Sequence, residues 1–216
     1  MPLTGRGMLI TSMDVDPADE PEFNAWYDRE HLAERVAIEG FLEARRWLAV
    51  DASPTYFCTY STERFDTLTS PAYARALASQ TERSRANIAR FRNMGRVLGR
   101  VTASRGQGRG AALGVVRLRP AAASPDLRER MRTLLDPGTL EGIISLHLVE
   151  ADAGLSKSLT EPDKADPGAG DWYVLIDGTD VAPIVGLIHT RFAAPGAPVV
   201  STGTYRLMWD LGEAEL

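Results

Sequence analysis

Hydrophobic and polar positions in the first half of the chain predict strands that alternate with helices. Short β-prone runs are separated by segments of helical periodicity or by turn residues. The first strand is followed by a helix that ends at Gly40 and then by a hairpin of two strands. A second helix runs from Pro71 to about Arg92 and is closed by Gly95, and a last strand follows it. The predicted strands are Gly7–Val15, Phe41–Val50, Thr55–Thr62 and Arg96–Ala103. The order β-α-β-β-α-β is that of a ferredoxin-like unit.

The second half repeats this order. Gly40-Phe41-Leu42 matches Gly142-Ile143-Ile144, at an offset of about a hundred residues. The predicted strands are Ala111–Arg119, Gly142–Glu150, Asp171–Asp177 and Ser201–Trp209, and the predicted helices are Pro125–Leu135 and Asp180–Thr190. We therefore expect two tandem units, residues 1–105 and 110–216, joined by the flexible linker Ser104–Gly110.

The tandem arrangement predicts how the units pack. A ferredoxin-like sheet has helices on one face and leaves the other face bare, so two such sheets can cover each other. We predict an α+β fold in which the two sheets form one intrachain barrel. The segment Ala151–Gly170 has no counterpart in the first half, and its Gly, Ala, Asp, Pro and Ser content predicts a mobile or disordered loop. An ordered functional lid is the alternative.

Composition narrows the class of protein. The chain has 216 residues, 44% of them hydrophobic and 25% charged, with a net charge of −5. This balance is ordinary for a globular protein and gives no global reason to expect nucleic-acid binding. We find no run that predicts a membrane span or a signal peptide, so we expect a cytoplasmic protein. The single cysteine, Cys58, excludes an intrachain disulfide and a cysteine metal cluster.

The stretch Phe23–Phe41, FNAWYDREHLAERVAIEGF, carries the candidate chemistry. At about 100° per residue, a helix places Trp26, Tyr27 and Glu30 on one face with His31 at its edge. A carboxylate and an imidazole inside an aromatic stripe are costly to bury unless they are paired. We therefore predict a polar-lined pocket under the helix. The alternative is that the aromatic residues are ordinary core and the polar ones reach solvent.

Each polar residue of this helix has a chemical interpretation. His31 is the natural proton carrier near neutral pH, and Tyr27 can bind a substrate oxygen or the imidazole. Glu30 and Glu34 lie one turn apart, and close carboxylates raise at least one pKa. We predict His31, Glu30 and Tyr27 as catalytic residues, and the predicted substrate contacts are Trp26, Asn24 and Glu34. His31 and Glu34 supply only two ligands, so no metal site is predicted.

The segment W-Y-D-x-E-H at Trp26–His31, followed by L-x-E-R and I-x-G-F up to Phe41, resembles EthD-like members of the dimeric α/β-barrel superfamily. The motif resemblance covers about residues 8–105, and the second half agrees in topology alone. The resemblance implies a pocket between the helices and the sheet of each unit. Superfamily members include cofactor-free lactone isomerases, polyketide cyclases and monooxygenases, haem enzymes and ligand-sensing domains. Because the second-half helix PDLRERMRTLLDP lacks counterparts of Trp26, Tyr27 and His31, we expect one site, in the first half.

These observations favour a cofactor-independent lyase, isomerase or cyclase that uses general acid–base chemistry on a small, partly apolar molecule, aromatic or lactone-like. One alternative is a non-catalytic small-ligand-binding or stress-associated module. Another is a cofactor-free or haem-dependent oxygen enzyme, with His147 or His189 as the haem ligand, although lone histidines are more often structural. The expected partner is a small-molecule substrate, without nucleic acid or membrane. A homodimer through other surfaces stays open.

Overall fold

The computed structural model describes residues 5–138, 140–158, 163 and 165–216. Its eight strands, all antiparallel to their neighbours, close into one barrel. The strands are β1 (Gly7–Asp14), β2 (Phe41–Asp51), β3 (Tyr56–Thr62), β4 (Arg92–Gly106), β5 (Ala112–Leu118), β6 (Ile143–Ala151), β7 (Trp172–Gly178) and β8 (Val199–Gly212). Their order around the barrel is β1-β3-β2-β8-β5-β7-β6-β4.

The helices lie outside the barrel. They are α1 (Glu20–Trp26), α2 (Leu32–Val36), α3 (Pro71–Ala78), α4 (Glu82–Ile88), α5 (Pro125–Leu134) and α6 (Val181–Arg191). A π-helical turn, Tyr27–His31, joins α1 to α2, and 3-10 turns occur at Phe65–Thr69 and Glu213–Glu215. Within the described residues, no helix combines the length and the apolar character that crossing a membrane requires.

The predicted fold class is confirmed. Each half contributes four neighbouring strands in the ferredoxin-like order, β4-β1-β3-β2 in the first unit and β8-β5-β7-β6 in the second. Two junctions close the barrel within the single chain, because β2 pairs with β8 and β4 pairs with β6. The units therefore join edge to edge while their bare faces enclose a shared interior.

Strand alternation divides the apolar residues into three clusters. In β1, Met8 and Ile10 point into the barrel, whereas Leu9 and Met13 point outward beneath the helices. The barrel interior is filled by large side chains that include Trp47, Phe57, Leu113, Val115, Tyr173 and Tyr205. The outer face of the first unit packs against Phe23, Trp26, Tyr27, Leu32 and Val36. The outer face of the second packs against Met131, Leu135, Ile184, Leu187 and Phe192.

Two predictions about the end of the first unit are wrong. The single helix predicted after Pro71 is two helices, because the Thr81 hydroxyl accepts a hydrogen bond from the Ser84 N–H and starts α4 afresh. Gly95 does not end a helix but lies inside β4, which extends to Gly106 through the first part of the predicted linker. The strand is long because it pairs with β1 along one part and with β6 along the next.

The segment between β6 and β7 reaches back to the first unit. The Ser156 hydroxyl accepts a hydrogen bond from the Leu98 N–H at 3.1 Å, and Asp166 Oδ2 accepts one from the Arg96 N–H at 2.6 Å. Both Ser156 and Asp166 are buried. The described ends of the predicted mobile loop are thus attached to β4. Residues 159–162 and 164 of that loop lie outside the described residues, and its mobility stays a prediction.

Candidate functional site

The helix that carries the predicted site is interrupted by its π turn. The Leu32 N–H donates to the Tyr27 carbonyl, five residues earlier, in place of the usual four. The wider turn rotates all later residues relative to a uniform helix, and such turns occur frequently at functional sites. As a result, the side chains that α2 buries are Leu32, Arg35 and Val36.

Glu30 lies on the outer side of this turn, not at the centre of the buried stripe as the uniform helix predicted. Its Oε1 accepts a hydrogen bond from the Thr81 hydroxyl at 2.8 Å, and its Oε2 pairs with Arg83 Nη1 at 3.1 Å. Thr81 is the residue before α4, and Arg83 lies in the first turn of that helix. The carboxylate therefore ties the π turn to α4.

Trp26 and Asn24 have structural contacts of their own. The Trp26 indole is fully buried, and its Nε1 donates to the Ser84 hydroxyl at 3.0 Å. Asn24 Oδ1 accepts a hydrogen bond from Arg46. Neither side chain lines the cavity described next, and neither Glu30 nor Glu34 does. Trp26 and Glu34 nevertheless lie beside His31.

A cavity of about 40 Å³ lies beneath the π turn, between the helices and the outer face of β1, β3 and β4. Its walls are largely apolar, formed by Leu9, Met13, Leu77, Ile88, Phe91 and Met94. Its polar lining consists of Thr11, Tyr27, His31, Arg35, Tyr60, Tyr73, Gln80 and Arg96. The sequence-predicted residues that meet in this cavity are Tyr27 and His31.

His31 is held by aromatic rings and has a free nitrogen. Its ring centroid lies 4.5 Å from that of Trp26 and 4.9 Å from that of Tyr27. Its Nδ1 is buried and has no hydrogen-bond partner among the described residues. Burial, together with the positive charges of Arg35 and Arg46, lowers the pKa of His31 well below its ordinary value. The imidazole is therefore neutral at pH 7 and able to accept a proton.

Glu34 is the carboxylate nearest to this imidazole. Its Oε2 lies 3.9 Å from His31 Nδ1, too far for a hydrogen bond. Burial raises the pKa of Glu34; Arg35 opposes that change, and the negative charge of Glu30 adds to it. Because His31 is neutral, this contact is not an ion pair.

A pair of tyrosine hydroxyls lies at the floor of the cavity. The hydroxyl oxygens of Tyr27 and Tyr60 are 2.7 Å apart, and that of Tyr27 is 3.5 Å from Thr11 Oγ1. Burial raises the pKa of both tyrosines, so both are neutral hydrogen-bonding groups. Cys58 is fully buried beside them, and burial raises the pKa of its thiol to about 11. The thiol is thus not a nucleophile at neutral pH.

Beneath the π turn, β2 supplies a buried cation, Arg46. Its guanidinium lies 4.6 Å from the ring centroid of Tyr27 and 4.8 Å from that of Phe23, and Nη1 pairs with Asp28 Oδ1 at 2.5 Å. Asp28 belongs to the π turn, so this ion pair fixes the turn on the sheet. The sequence analysis missed Arg46, although a charged pair inside the apolar run FLEARRWLAV was a visible signal.

Sequence reasoning also missed the other six polar residues that line the cavity, among them Tyr60, Arg35 and Arg96. Tyr60 could have been found from strand alternation, because it lies two residues after Cys58 on β3 and therefore on the same face of the sheet. Arg35 could have been found only with the π turn, which rotates it inward. Arg96 belongs to the predicted fourth strand, where alternation places it on the same outer face as Leu98.

The histidines of the second unit do not fit haem ligation. Both ring nitrogens of His147 are engaged, with Nδ1 2.8 Å from the Ser104 hydroxyl and Nε2 3.0 Å from the Ser145 hydroxyl. His189 is exposed on α6. The cavity at His31 is far smaller than a porphyrin. Among the described residues, no group of three or more His, Cys, Asp or Glu side chains is placed to hold a metal ion.

Solved structures of other proteins share this architecture. An anthrone oxidase-like protein superposes with a TM-score of 0.65 at 8% identity, over 99% of this chain and 96% of its own. A monooxygenase-like protein of Lactobacillus acidophilus NCFM gives 0.58 at 10% identity, over 96% and 97%. A mutant chlorite dismutase of Candidatus Nitrospira defluvii gives 0.59 at 10% identity, over 96% and 92%.

No protein-family model matches the sequence, and no curated protein does. At identities of 8–10%, the structural likenesses carry the fold and leave the reaction open. They span nearly the whole chain, both units included, with TM-scores of 0.58 to 0.65. The chain therefore shares with these proteins the fold of a closed eight-stranded barrel with helices outside it, and both four-stranded units lie in one polypeptide.

Proposed function

We propose that the first unit performs general acid–base chemistry on a small, partly apolar molecule, aromatic or lactone-like, as a cofactor-independent lyase, isomerase or cyclase. The observation that carries this proposal is the neutral His31 imidazole, which lines a largely apolar cavity and whose buried Nδ1 has no hydrogen-bond partner among the described residues. A neutral imidazole in such a place is a competent proton acceptor.

The chemical step uses groups that already line the cavity. His31 takes a proton from a carbon next to the substrate carbonyl, and the electron pair of the broken C–H bond moves to the carbonyl oxygen as an enolate. A Tyr27 or Tyr60 hydroxyl donates a hydrogen bond to that oxygen, since both are neutral. Return of the proton from His31 to another carbon completes an isomerisation. In an elimination, the enolate electron pair returns to form a C=C bond, the bond from the neighbouring carbon to the leaving group breaks, and the leaving group takes the proton from His31.

Two alternatives use the same cavity. A non-catalytic ligand-binding module would need the walls and the hydrogen-bonding groups but no proton transfer. An oxygen enzyme would begin with the same deprotonation and pass the carbanion to O₂. The second alternative draws support from the oxidase-like and monooxygenase-like proteins of similar fold. The poor fit of the described histidines to haem favours its cofactor-free form.

Proton exchange tests the proposal directly. Aromatic ketones and lactones are incubated with the protein in D₂O, and loss of the acidic C–H signal is followed by proton NMR. We expect exchange with the wild type and exchange slower by about 100-fold or more with His31→Gln, the usual range for a lost general base. The melting temperature should change little, because glutamine is similar in size to histidine and the buried Nδ1 has no hydrogen bond to lose among the described residues.

The matched control is His189→Gln, which removes an exposed histidine from α6. It should leave exchange at the wild-type rate. Exchange that persists in folded His31→Gln would contradict the role of His31. So would a His31→Gln variant that loses exchange only because it unfolds.

A further inference from the structure

The cavity contains positive charge that no described carboxylate neutralises. Arg35 is 4% exposed, its guanidinium makes no hydrogen bond among the described residues, and its Nε is fully buried. It lies one helical turn after His31 and lines the same cavity. The buried Nε has lost its hydration without gaining an acceptor, whereas the two Nη atoms have no protein partner among the described residues and are not fully enclosed.

A second guanidinium lines the cavity from the sheet. Arg96 of β4 is 7% exposed and bonds only neutral oxygens, with Nη2 3.1 Å from the Tyr73 hydroxyl and Nη1 3.3 Å from the Lys157 carbonyl. Asp166 binds the Arg96 backbone N–H, and no described carboxylate pairs with its guanidinium within 4.0 Å. Lys157 and Asp166 come from the β6–β7 segment, so the second unit helps to position this arginine.

The remaining lining residues do not balance these charges. None of the described residues that line the cavity is acidic, and His31 is neutral. Glu34 lies within electrostatic reach of Arg35 but has no oxygen within 4.0 Å of its guanidinium. With the two arginines charged, the cavity is an electropositive pocket with apolar walls.

We propose that this cavity binds its ligand through an anionic group, a carboxylate, phenolate or enolate, held by Arg35 and Arg96. The inference deepens the proposed function and rests on it for the location of the site. The volume of about 40 Å³ accommodates the anionic head and a few further atoms. The apolar remainder of the ligand extends past the half-buried Leu77, Gln80 and Met94, beside the break between α3 and α4.

Binding of simple acids and their amides tests the proposal. Sodium acetate, propionate and benzoate are each titrated against the amide of the same acid by calorimetry, at pH 7.5 and constant ionic strength. We expect at least one acid to bind tenfold or more tightly than its amide. Arg35→Met and Arg96→Met should each abolish that preference, whereas Arg64→Met, at an exposed arginine, should keep it.

Thermal unfolding of the same variants separates a ligand site from a structural role. If Arg35 serves to bind an anion, its buried charge does not stabilise the ligand-free protein. Arg35→Met should then leave the melting temperature unchanged or raise it. Equal affinity for acid and amide, including no binding of either, would overturn the proposal. So would a preference that survives in both methionine variants. His31→Gln should retain the preference, so failure of the exchange experiment alone would affect only the catalytic proposal.

Discussion

The imidazole of His31 lies against the indole of Trp26, with ring centroids 4.5 Å apart and ring planes inclined by 36°. The two residues are five positions apart, and the π turn between them gives this contact its geometry. The indole is fully buried and anchored to Ser84. The anchored indole thus fixes the position of the imidazole.

Protonation of His31 should quench the fluorescence of Trp26, because a charged imidazole quenches indole emission more strongly than a neutral one. We expect an acid-induced decrease whose midpoint lies well below pH 6.5, since burial and the charges of Arg35 and Arg46 lower the pKa of His31. The measurement is a fluorescence titration of the folded protein. A midpoint at the ordinary histidine value, or the same decrease in His31→Gln, would contradict the prediction.

Stability should fall with acid in a window that His31 sets. Below pH 6.5 the unfolded chain binds a proton at this residue, but the folded chain does not until its lowered pKa is reached. The free energy of unfolding therefore rises with pH through that window. Above pH 6.5 the contribution of His31 is fully present and no longer changes with pH. Glu34 contributes the opposite slope at lower pH, because its pKa is raised.

Urea unfolding of wild type and His31→Gln at several pH values isolates the histidine contribution, since Glu34 is common to both proteins. The difference between them should shrink or reverse as the pH falls. His189→Gln serves as the control and should follow the wild type. If the unfolding free energies of wild type and His31→Gln change with pH in parallel, the imidazole has the same pKa in the folded and unfolded chains, which contradicts the prediction.

Loss of one hydroxyl from the tyrosine pair should destabilise the protein. Tyr60→Phe removes the 2.7 Å contact and leaves the Tyr27 hydroxyl with its weaker contacts to Thr11, at 3.5 Å, and to the Cys58 thiol. An unsatisfied buried hydroxyl costs about 1–3 kcal/mol of unfolding free energy. The double variant with Tyr27→Phe should cost less than the sum of the single variants, because they share one interaction. Strict additivity in urea unfolding would contradict the pairing.

Tyr205→Phe is a suitable control for this series. Tyr205 is also buried, inside the barrel, and its hydroxyl has no hydrogen-bond partner among the described residues. The control should cost less than Tyr60→Phe. A larger loss at Tyr205 would mean that packing of the phenol oxygen, and not its hydrogen bond, decides the effect.

Asp28→Ala should be among the costliest changes on the helix. It leaves the fully buried Arg46 guanidinium without its carboxylate, and breaking a buried pair by removal of one partner costs about 3–5 kcal/mol. Glu22→Ala, which breaks a solvent-exposed pair with Arg83, should barely change the unfolding midpoint. Similar midpoints for the two variants would show that Asp28 does not stabilise Arg46.

The fold could be predicted because it rests on repeated local signals. Each buried strand was visible as an apolar run, and the Gly-Phe and Gly-Ile landmarks at Gly40 and Gly142 revealed the duplication. Both glycines have positive φ, at 83° and 78°, where other residues are strained. The break at Thr81 was not predictable in this way, because helical periodicity continues across it and only a side-chain cap interrupts the backbone.

The candidate site was predicted less completely than the fold, because the π turn Tyr27–His31 was not expected. The location under the helix, with Tyr27 and His31, agrees with the cavity that the structure contains. The inward orientation of Glu30 does not, because a regular helical wheel cannot anticipate an extra residue in one turn. The same wheel also left Arg35 outside the predicted site.

Covalent joining of the two units changes what the barrel can do. In a barrel built from two chains, closure is a bimolecular event that dilution opposes, and identical subunits must carry identical sites. Here β4 continues to β5 through a few residues, so pairing of β2 with β8 is an intramolecular step with a high effective concentration. A substitution in one half is also not copied into the other. The two units can therefore differ: the first carries the cavity lined by Tyr27 and His31, and the second carries the segment that contacts Arg96.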